Sequence, residues 1–272
     1  MNKNKCIIYK NDLKFEEDNK FEEKNFESDI VKSIYENFKN KPKIELRLKD
    51  SEMENYNYLD LSKLYIDDTY LIKLFDLEKI NGILKKIEFL DLSNNLLKSF
   101  PNLNKYPNII YLNVSFNSIE QDIIDDNLIE LTCHDNLIKS IKSNKLTHVN
   151  ASNNKIELID IPNIKFLIIN NNKLDEIQSY LNLEFLECID NSLLKIDNMI
   201  NLEELYIGNN KIKNIYNMPK LKILNCIGNP LEKIKYFPNL ITLISSICII
   251  SSQFNVNNIS KIGQDYLIDF NV

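Results

Sequence analysis

From Ile87 onward the apolar residues fall on one frame, apolar-x-x-apolar-x-apolar-x-x-Asn-x-apolar, written nine times by Cys248. LEELYIGNNKI, Leu202 to Ile212, is the clearest copy. The copies start at Ile87, Ile109, Leu128, Leu146, Ile164, Leu183, Leu202, Leu221 and Leu240, with spacings of 22, 19, 18, 18, 19, 19, 19 and 19 residues. Positions 4 and 6 are apolar and alternate with less constrained residues at 3, 5 and 7, the period-two pattern of a strand with one buried side. Each repeat thus predicts one short strand, and a fixed period near twenty predicts a stacked solenoid. About eight residues remain for the return, too few for a helix of ordinary length. Extended or single-turn 3₁₀ backbone is expected there, with one helix around Tyr70 to Ile80, where the step from Leu61 to Ile87 lengthens to 26 residues.

The ninth position needs asparagine for a physical reason. After its strand the chain bends sharply, leaving backbone N–H and C=O groups that no strand neighbour can satisfy. A carboxamide supplies both donors and an acceptor, so stacked copies can bond their own and adjacent bends. The slot holds Asn95, Asn117, Asn136, Asn154, Asn172, Asn191, Asn210 and Asn229, then Cys248 in the ninth copy.

On these residues the chain resembles the leucine-rich repeat proteins over at least 87 to 250. LSKLYIDDTYL, Leu61 to Leu71, reads as a degraded copy with Thr69 in the asparagine slot, and residues 45 to 53 match loosely. Within the family, the short period and the prolines two places before a strand (Pro107, Pro162, Pro219, Pro238) resemble the short-repeat class. The resemblance implies an α/β solenoid, a right-handed superhelix whose concave side is a parallel sheet of about ten strands. It also implies protein recognition as the habitual activity.

One repeat buries too little apolar surface to offset the ordering of its residues, so repeats must cover one another and the ends need caps. Residues 1–42 read as an N-terminal flank whose helix, over 27–39, aligns Ile30, Val31, Ile34, Tyr35 and Phe38. Residues 43–250 form the solenoid and 251–272 a C-terminal cap or tail; the alternative is that the flanks bind partners themselves.

Composition narrows the context. One Ala, one Arg and no Trp stand against abundant Asn, Ile and Lys, as an AT-rich genome would encode, pointing to a protist or a large DNA virus. Net charge is −6 and no basic stripe appears, so nucleic acid is not an expected partner. No signal peptide or apolar span long enough for a membrane is read. Cys133, Cys188 and Cys226 share position 6 and serve as small core residues. At a strand spacing of about 4.8 Å they lie too far apart to pair, which predicts reduced thiols and a cytoplasmic address; a monomer is expected.

Function is expected in the outward columns. Position 3 reads Lys63, Phe89, Tyr111, Glu130, His148, Phe166, Phe185, Glu204, Ile223 and Thr242. Position 5 reads Tyr65, Asp91, Asn113, Thr132, Asn150, Ile168, Glu187, Tyr206, Asn225 and Ile244, and position 7 includes Asp67, Ile189 and Gly208. Phe166, Phe185, Ile168, Ile189 and Tyr206 form an apolar and aromatic area bordered by Glu187, Glu203 and Glu204, the composition of a protein interface. The competing reading is that these side chains only pack on one another.

Catalysis finds no support. The chain has no HExxH, no glycine-rich phosphate loop and no CxxC, and its flanks are too small for the ligase domain that some bacterial repeat proteins carry. His134 and His148 sit at positions 7 and 3 of adjacent strands, too far apart for one metal, and His134 beside Asp135 reads as solvated surface. No cofactor is expected. A partner-binding, non-catalytic scaffold is the reading; a regulatory or substrate-recognition subunit of a phosphatase or ubiquitin-ligase complex is the alternative.

Overall fold

The computed structural model describes residues 57–235 and 237–245, and the backbone of four short strands at Lys5–Ile7, Leu13–Lys14, Glu45–Leu46 and Lys261–Ile262. The expected capping helix over 27–39, Cys248 and the tail from 251, apart from that last strand, lie outside the described residues. The chain forms two compact units, Met1–Asn113 and Val114–Val272.

In the first unit the strands Tyr58–Asp60, Phe89–Asp91 and Tyr111–Asn113 run parallel, with Leu59, Leu90 and Leu112 aligned and buried. This register corrects the reading of the first copy. Tyr58, not Lys63, lies beside Phe89. Lys63 and Tyr65 instead sit in the following bend, both at φ 58, and Leu64 occupies the slot that asparagine holds in later copies. The long step before Ile87 is helical as expected, but in two pieces. Asp67 caps the helix Asp68–Asp76 through the Tyr70 N–H at 2.8 Å, and Leu71, Leu74 and Phe75 turn inward. Leu77 is extended, and the shorter helix Glu78–Leu84 follows, burying Ile80, Ile83 and Leu84.

The second unit carries seven parallel strands in sequence order, Glu130–Thr132, His148–Asn150, Phe166–Ile168, Phe185–Glu187, Glu204–Tyr206, Ile223–Asn225 and Thr242–Ile244. Every pairing joins like positions, so each column of the repeat is a column of neighbours in space. The inward positions behave as the frame requires: Leu202, Leu205, Ile207, Ile212 and Ile215 are all 0% exposed. Cys133, Cys188 and Cys226 are buried free thiols at position 6. Burial in the apolar core pushes the Cys188 thiol up to about 12 and raises that of Cys133 as well.

The return side is extended, but its segments also pair with one another. Ile123–Ile124, Ser140–Lys142 and Leu158–Asp160 make one three-stranded parallel ribbon, and Ile196–Asp197, Asn214–Tyr216 and Lys233–Lys235 make a second. No 3₁₀ turn occurs among the described residues.

The asparagine ladder has the bonding its position predicts. The Asn210 amide donates to Cys188 of the preceding turn at 2.8 Å and to Ile207 and Gly208 of its own at 3.1 Å, while its oxygen accepts from Leu193 at 2.9 Å. Asn136, Asn154, Asn172 and Asn229 repeat all of these bonds, and Asn191 repeats all but the one to its own position 6. In the first unit Asn95 donates to Leu61 and accepts from Leu64 and Ile66. Asn117 donates to Val114 and Ser115 in its own bend.

Two further rows accompany it. Position 8 is left-handed throughout, with Asn94, Phe116, Asp135, Asn153, Asn171, Asp190 and Asn209 at φ 51 to 56 and Gly228 at 70. Asn and Asp tolerate that conformation better than other side chains. At the entrance to six of the strands a tight turn closes, as in Leu202 N–H to Met199 C=O at 3.2 Å and Leu240 N–H to Phe237 C=O at 3.3 Å, whereas Leu128 and Leu146 donate to the side chains of Asp125 and Ser143. Proline suits the second residue of such a turn because its φ is preset. The asparagine that follows reaches the previous repeat: Asn108 to Lys85, Asn163 to Asn144, Asn201 to Leu181 and Asn239 to Pro219, all at 2.7–2.8 Å.

Candidate functional site

Strand alternation turns positions 3 and 5 outward on either side of a buried position 4, and the parallel register stacks equal positions. In the second unit this lines up rings. His148 lies flat on Phe166, with centroids 4.8 Å apart and planes 9° apart, and Phe166 stacks on Phe185 at 6.3 Å and 23°. Phe185 meets Tyr206 diagonally on the next strand at 5.7 Å. Four rings therefore run without interruption over four strands. Phe166 is the most open of them, at 39% exposure. Ile168 and Ile189 beside them are half-buried.

The acidic border is held in place. Glu187 accepts the Asn170 side-chain amide at 2.7 Å, and the Asn170 oxygen in turn accepts the Ile189 N–H at 2.7 Å. The Tyr206 hydroxyl donates to Glu204 at 3.1 Å. Burial, and then the hydrogen bond and charge of Glu204 with the charge of Glu187, raise the Tyr206 phenol above its ordinary value. Glu203, one place earlier, is drawn into an ion pair with Lys222 at 2.6 Å at the strand entrance.

Other expected residues separate from this group. Tyr111 belongs to the first unit, where Tyr58, Phe89 and Tyr111 form a second run with centroid separations of 4.5 and 6.2 Å. There Asp91 accepts from the Tyr58 hydroxyl at 3.2 Å and the Asn113 amide at 3.3 Å. Position 7 is less open than the alternation suggests, because Ser93, Ser115 and Gly208 are buried. His134 is not solvated surface: its Nδ1 lies 2.7 Å from Asp135, and Phe116 packs edge-on against its ring at 4.9 Å. His148 faces the Thr147 hydroxyl through Nδ1 at 2.9 Å.

Charge on this face is one-sided. At positions 3, 5, 7 and 8 of the seven strands stand Glu130, Asp135, Glu187, Asp190 and Glu204, with no Lys or Arg, although the chain carries 33 cations in 272 residues. The sequence reading named the three glutamates' columns but missed that cations are absent from all of them. It also missed Phe116, an aromatic in a left-handed position 50% exposed. The signal was available, since every other copy from Ile87 to Leu221 has Asn, Asp or Gly at position 8.

No protein-family model matches the chain, and no curated protein sequence does. Solved structures do. A leucine-rich repeat protein of Leptospira interrogans is 21% identical at a TM-score of 0.56, over 70% of this chain and 54% of that one. A chain of the LRIM1/APL1C complex is 20% identical at 0.54, over 78% of this chain and 52% of that one. A chain of the TLR13–ssRNA13 complex is 18% identical at 0.51, over 76% and 38%. The chain thus spans about half the length of the Leptospira protein. Its fold is the leucine-rich repeat β-solenoid, with ten parallel strands bearing the repeat's position 4, three in the first unit and seven in the second. No helix among the described residues is long and apolar enough to cross a membrane.

Proposed function

We propose that the chain is a non-catalytic scaffold that binds a partner protein through the outward face of its second-unit sheet. The observation that carries this is the run His148, Phe166, Phe185 and Tyr206. Aromatic side chains give large contact area at low entropic cost and are enriched where proteins bind one another. Inward slots would hide such rings, yet this chain places them in the columns its frame leaves free.

Single-stranded RNA is the rival occupant, since bases also stack on aromatic rows and one of the similar folds is a TLR13–ssRNA13 complex. Such binding needs cations to track the backbone, and this face presents five carboxylates and none. Protein is therefore the favoured partner. A phosphatase or a ubiquitin-ligase scaffold is the form the partner would take if the chain is a regulatory subunit.

The test is site-specific photo-cross-linking in cells of the source organism. A benzophenone amino acid in place of Ile168 is expected to yield discrete protein adducts that Phe166→Asp abolishes, while the same group in place of Glu157 on the return side yields none. Adducts from position 157 alone would move the site off the sheet, and RNA adducts from position 168 would replace the reading.

A further inference from the structure

Two neighbouring strands set four outward side chains in a square. Phe185 pairs in register with Glu204, and Glu187 with Tyr206, so the rings occupy one diagonal and the carboxylates the other. Both carboxylates are oriented by a hydrogen bond to one oxygen only, Glu187 Oε1 from Asn170 and Glu204 Oε2 from Tyr206. The other oxygens, Glu187 Oε2 and Glu204 Oε1, have no partner among the described residues, and neither group has a cation beside it on the face. Both residues are only half-buried, so these free oxygens are open to solvent and available to a positively charged group that approaches the face.

We propose that this square is the seat of an arginine side chain presented by the partner protein. The inference deepens the scaffold reading of the same face and rests on it. A guanidinium is flat, lies comfortably on an aromatic ring, and projects donors in its own plane toward acceptors at its edges. The square offers both features together, a ring diagonal of 5.7 Å and a carboxylate at each remaining corner. A lysine ammonium is a compact point charge that can approach one carboxylate or one ring but cannot bridge the square in the same way. Beside it, Phe166 and Ile168 pair in register with Phe185 and Glu187 and continue the surface as an apolar strip. The segment that fits is extended, with an arginine next to an aliphatic residue.

The experiment uses the whole chain, labelled with ¹⁵N, and the probe peptide acetyl-Gly-Leu-Arg-Leu-Gly-amide, with matched peptides carrying citrulline or lysine in place of arginine. Amide shifts are expected to centre on 185–187 and 204–206. The citrulline peptide, uncharged and nearly isosteric, is expected to bind at least about tenfold more weakly, and the lysine peptide several-fold more weakly. Glu187→Gln with Glu204→Gln is expected to erase the preference while leaving the circular dichroism spectrum and thermal midpoint unchanged. Equal affinity for arginine and citrulline, shifts centred elsewhere, or a preference that survives the double glutamine variant overturns the proposal. Perturbation of the same amides by octauridylate overturns it in favour of a nucleic acid. The chain's single arginine, Arg47, permits one self-association control. Dimerisation abolished by Arg47→Lys would assign the seat to a second copy and overturn the partner-protein form. The two readings fail separately: protein cross-links at position 168 that persist in the double glutamine variant keep the scaffold and remove the arginine. Absence of any protein cross-link at position 168 overturns the scaffold reading and with it the partner-borne arginine, whatever the peptides show.

Discussion

Asn210 completes the bend of the turn before its own: its side-chain oxygen accepts the Leu193 N–H at 2.9 Å, across 17 residues of sequence. The same amide donates to the Cys188 carbonyl of that earlier turn, and both sites are dry. Replacing the side chain therefore strands groups on two repeats at once. Asn210→Ala is expected to cost about 2–4 kcal/mol, since each buried group left unpaired costs about 1–3 kcal/mol. Asn201→Ala removes a single exposed bond to Leu181 and is expected to cost less than about 1 kcal/mol. Urea denaturation of the two variants checks the contrast.

Gly228 and Gly208 should differ sharply in their tolerance of alanine. At Gly228 φ is +70 and an added Cβ would stand 2.2 Å from Asn209 Oδ1 and 3.2 Å from its Cα, whereas at Gly208 nothing comes nearer than 3.5 Å. Gly228→Ala is expected to destabilise by on the order of 2 kcal/mol. Gly208→Ala should lie within about 0.5 kcal/mol of the parent. Adding Asn209→Gly to Gly228→Ala should recover part of the loss, because it removes the obstructing amide at a position that is itself left-handed.

Alkaline pH should weaken the fold before it disrupts any surface ion pair. Cys188 loses its proton near 9.0 when unfolded but only at about 12 in the core, and Cys133 shifts the same way. The folded state therefore holds these protons more tightly. Their contribution is intact below pH 9 and declines from there toward 12, by on the order of 1 kcal/mol per pH unit per thiol. Cys188→Ala should flatten the slope of stability between pH 9 and 11. Below pH 8 iodoacetamide should label neither thiol until denaturant is added.

The stacked rings should be energetically coupled. Phe166→Ala and Phe185→Ala are each expected to cost about 1 kcal/mol, and the double variant about 0.5 kcal/mol less than the sum. Strict additivity would mean that the rings merely lie near one another.

The sheet was legible wherever the asparagine slot was filled. From Ile87 to Leu240 the apolar frame placed every strand that carries its position 4, and the register of each. The first copy was misread for a definite reason: the frame contains the spacing three-then-two twice, at positions 1, 4, 6 and again at 6, 9, 11. Leu61, Leu64 and Ile66 satisfy both readings once a leucine stands in slot nine, and only the pairing of Leu59 with Leu90 separates them. The paired return ribbons escaped notice because two- and three-residue strands have too little sequence for periodicity to act on. The entrance row, Asn108, Asn163, Asn201 and Asn239, was hidden by the abundance of its own residue type, though three of its members follow proline. For the candidate site, the alternation identified His148, Phe166, Phe185 and Tyr206 as outward, but not the square that Phe185 and Tyr206 form with Glu187 and Glu204, because ring diagonals depend on two strands at once.

The ladder also has a direction. Each bend borrows its last acceptor and donor from the asparagine of the repeat that comes later in the chain, never from the one before. A ribosome delivers the amino-terminal end first, so the newest turn emerges with its Leu193-type N–H still open and closes only when residues some 17 places downstream have left the exit tunnel. Growth of this solenoid is therefore a series of latches, each shut by the next arrival.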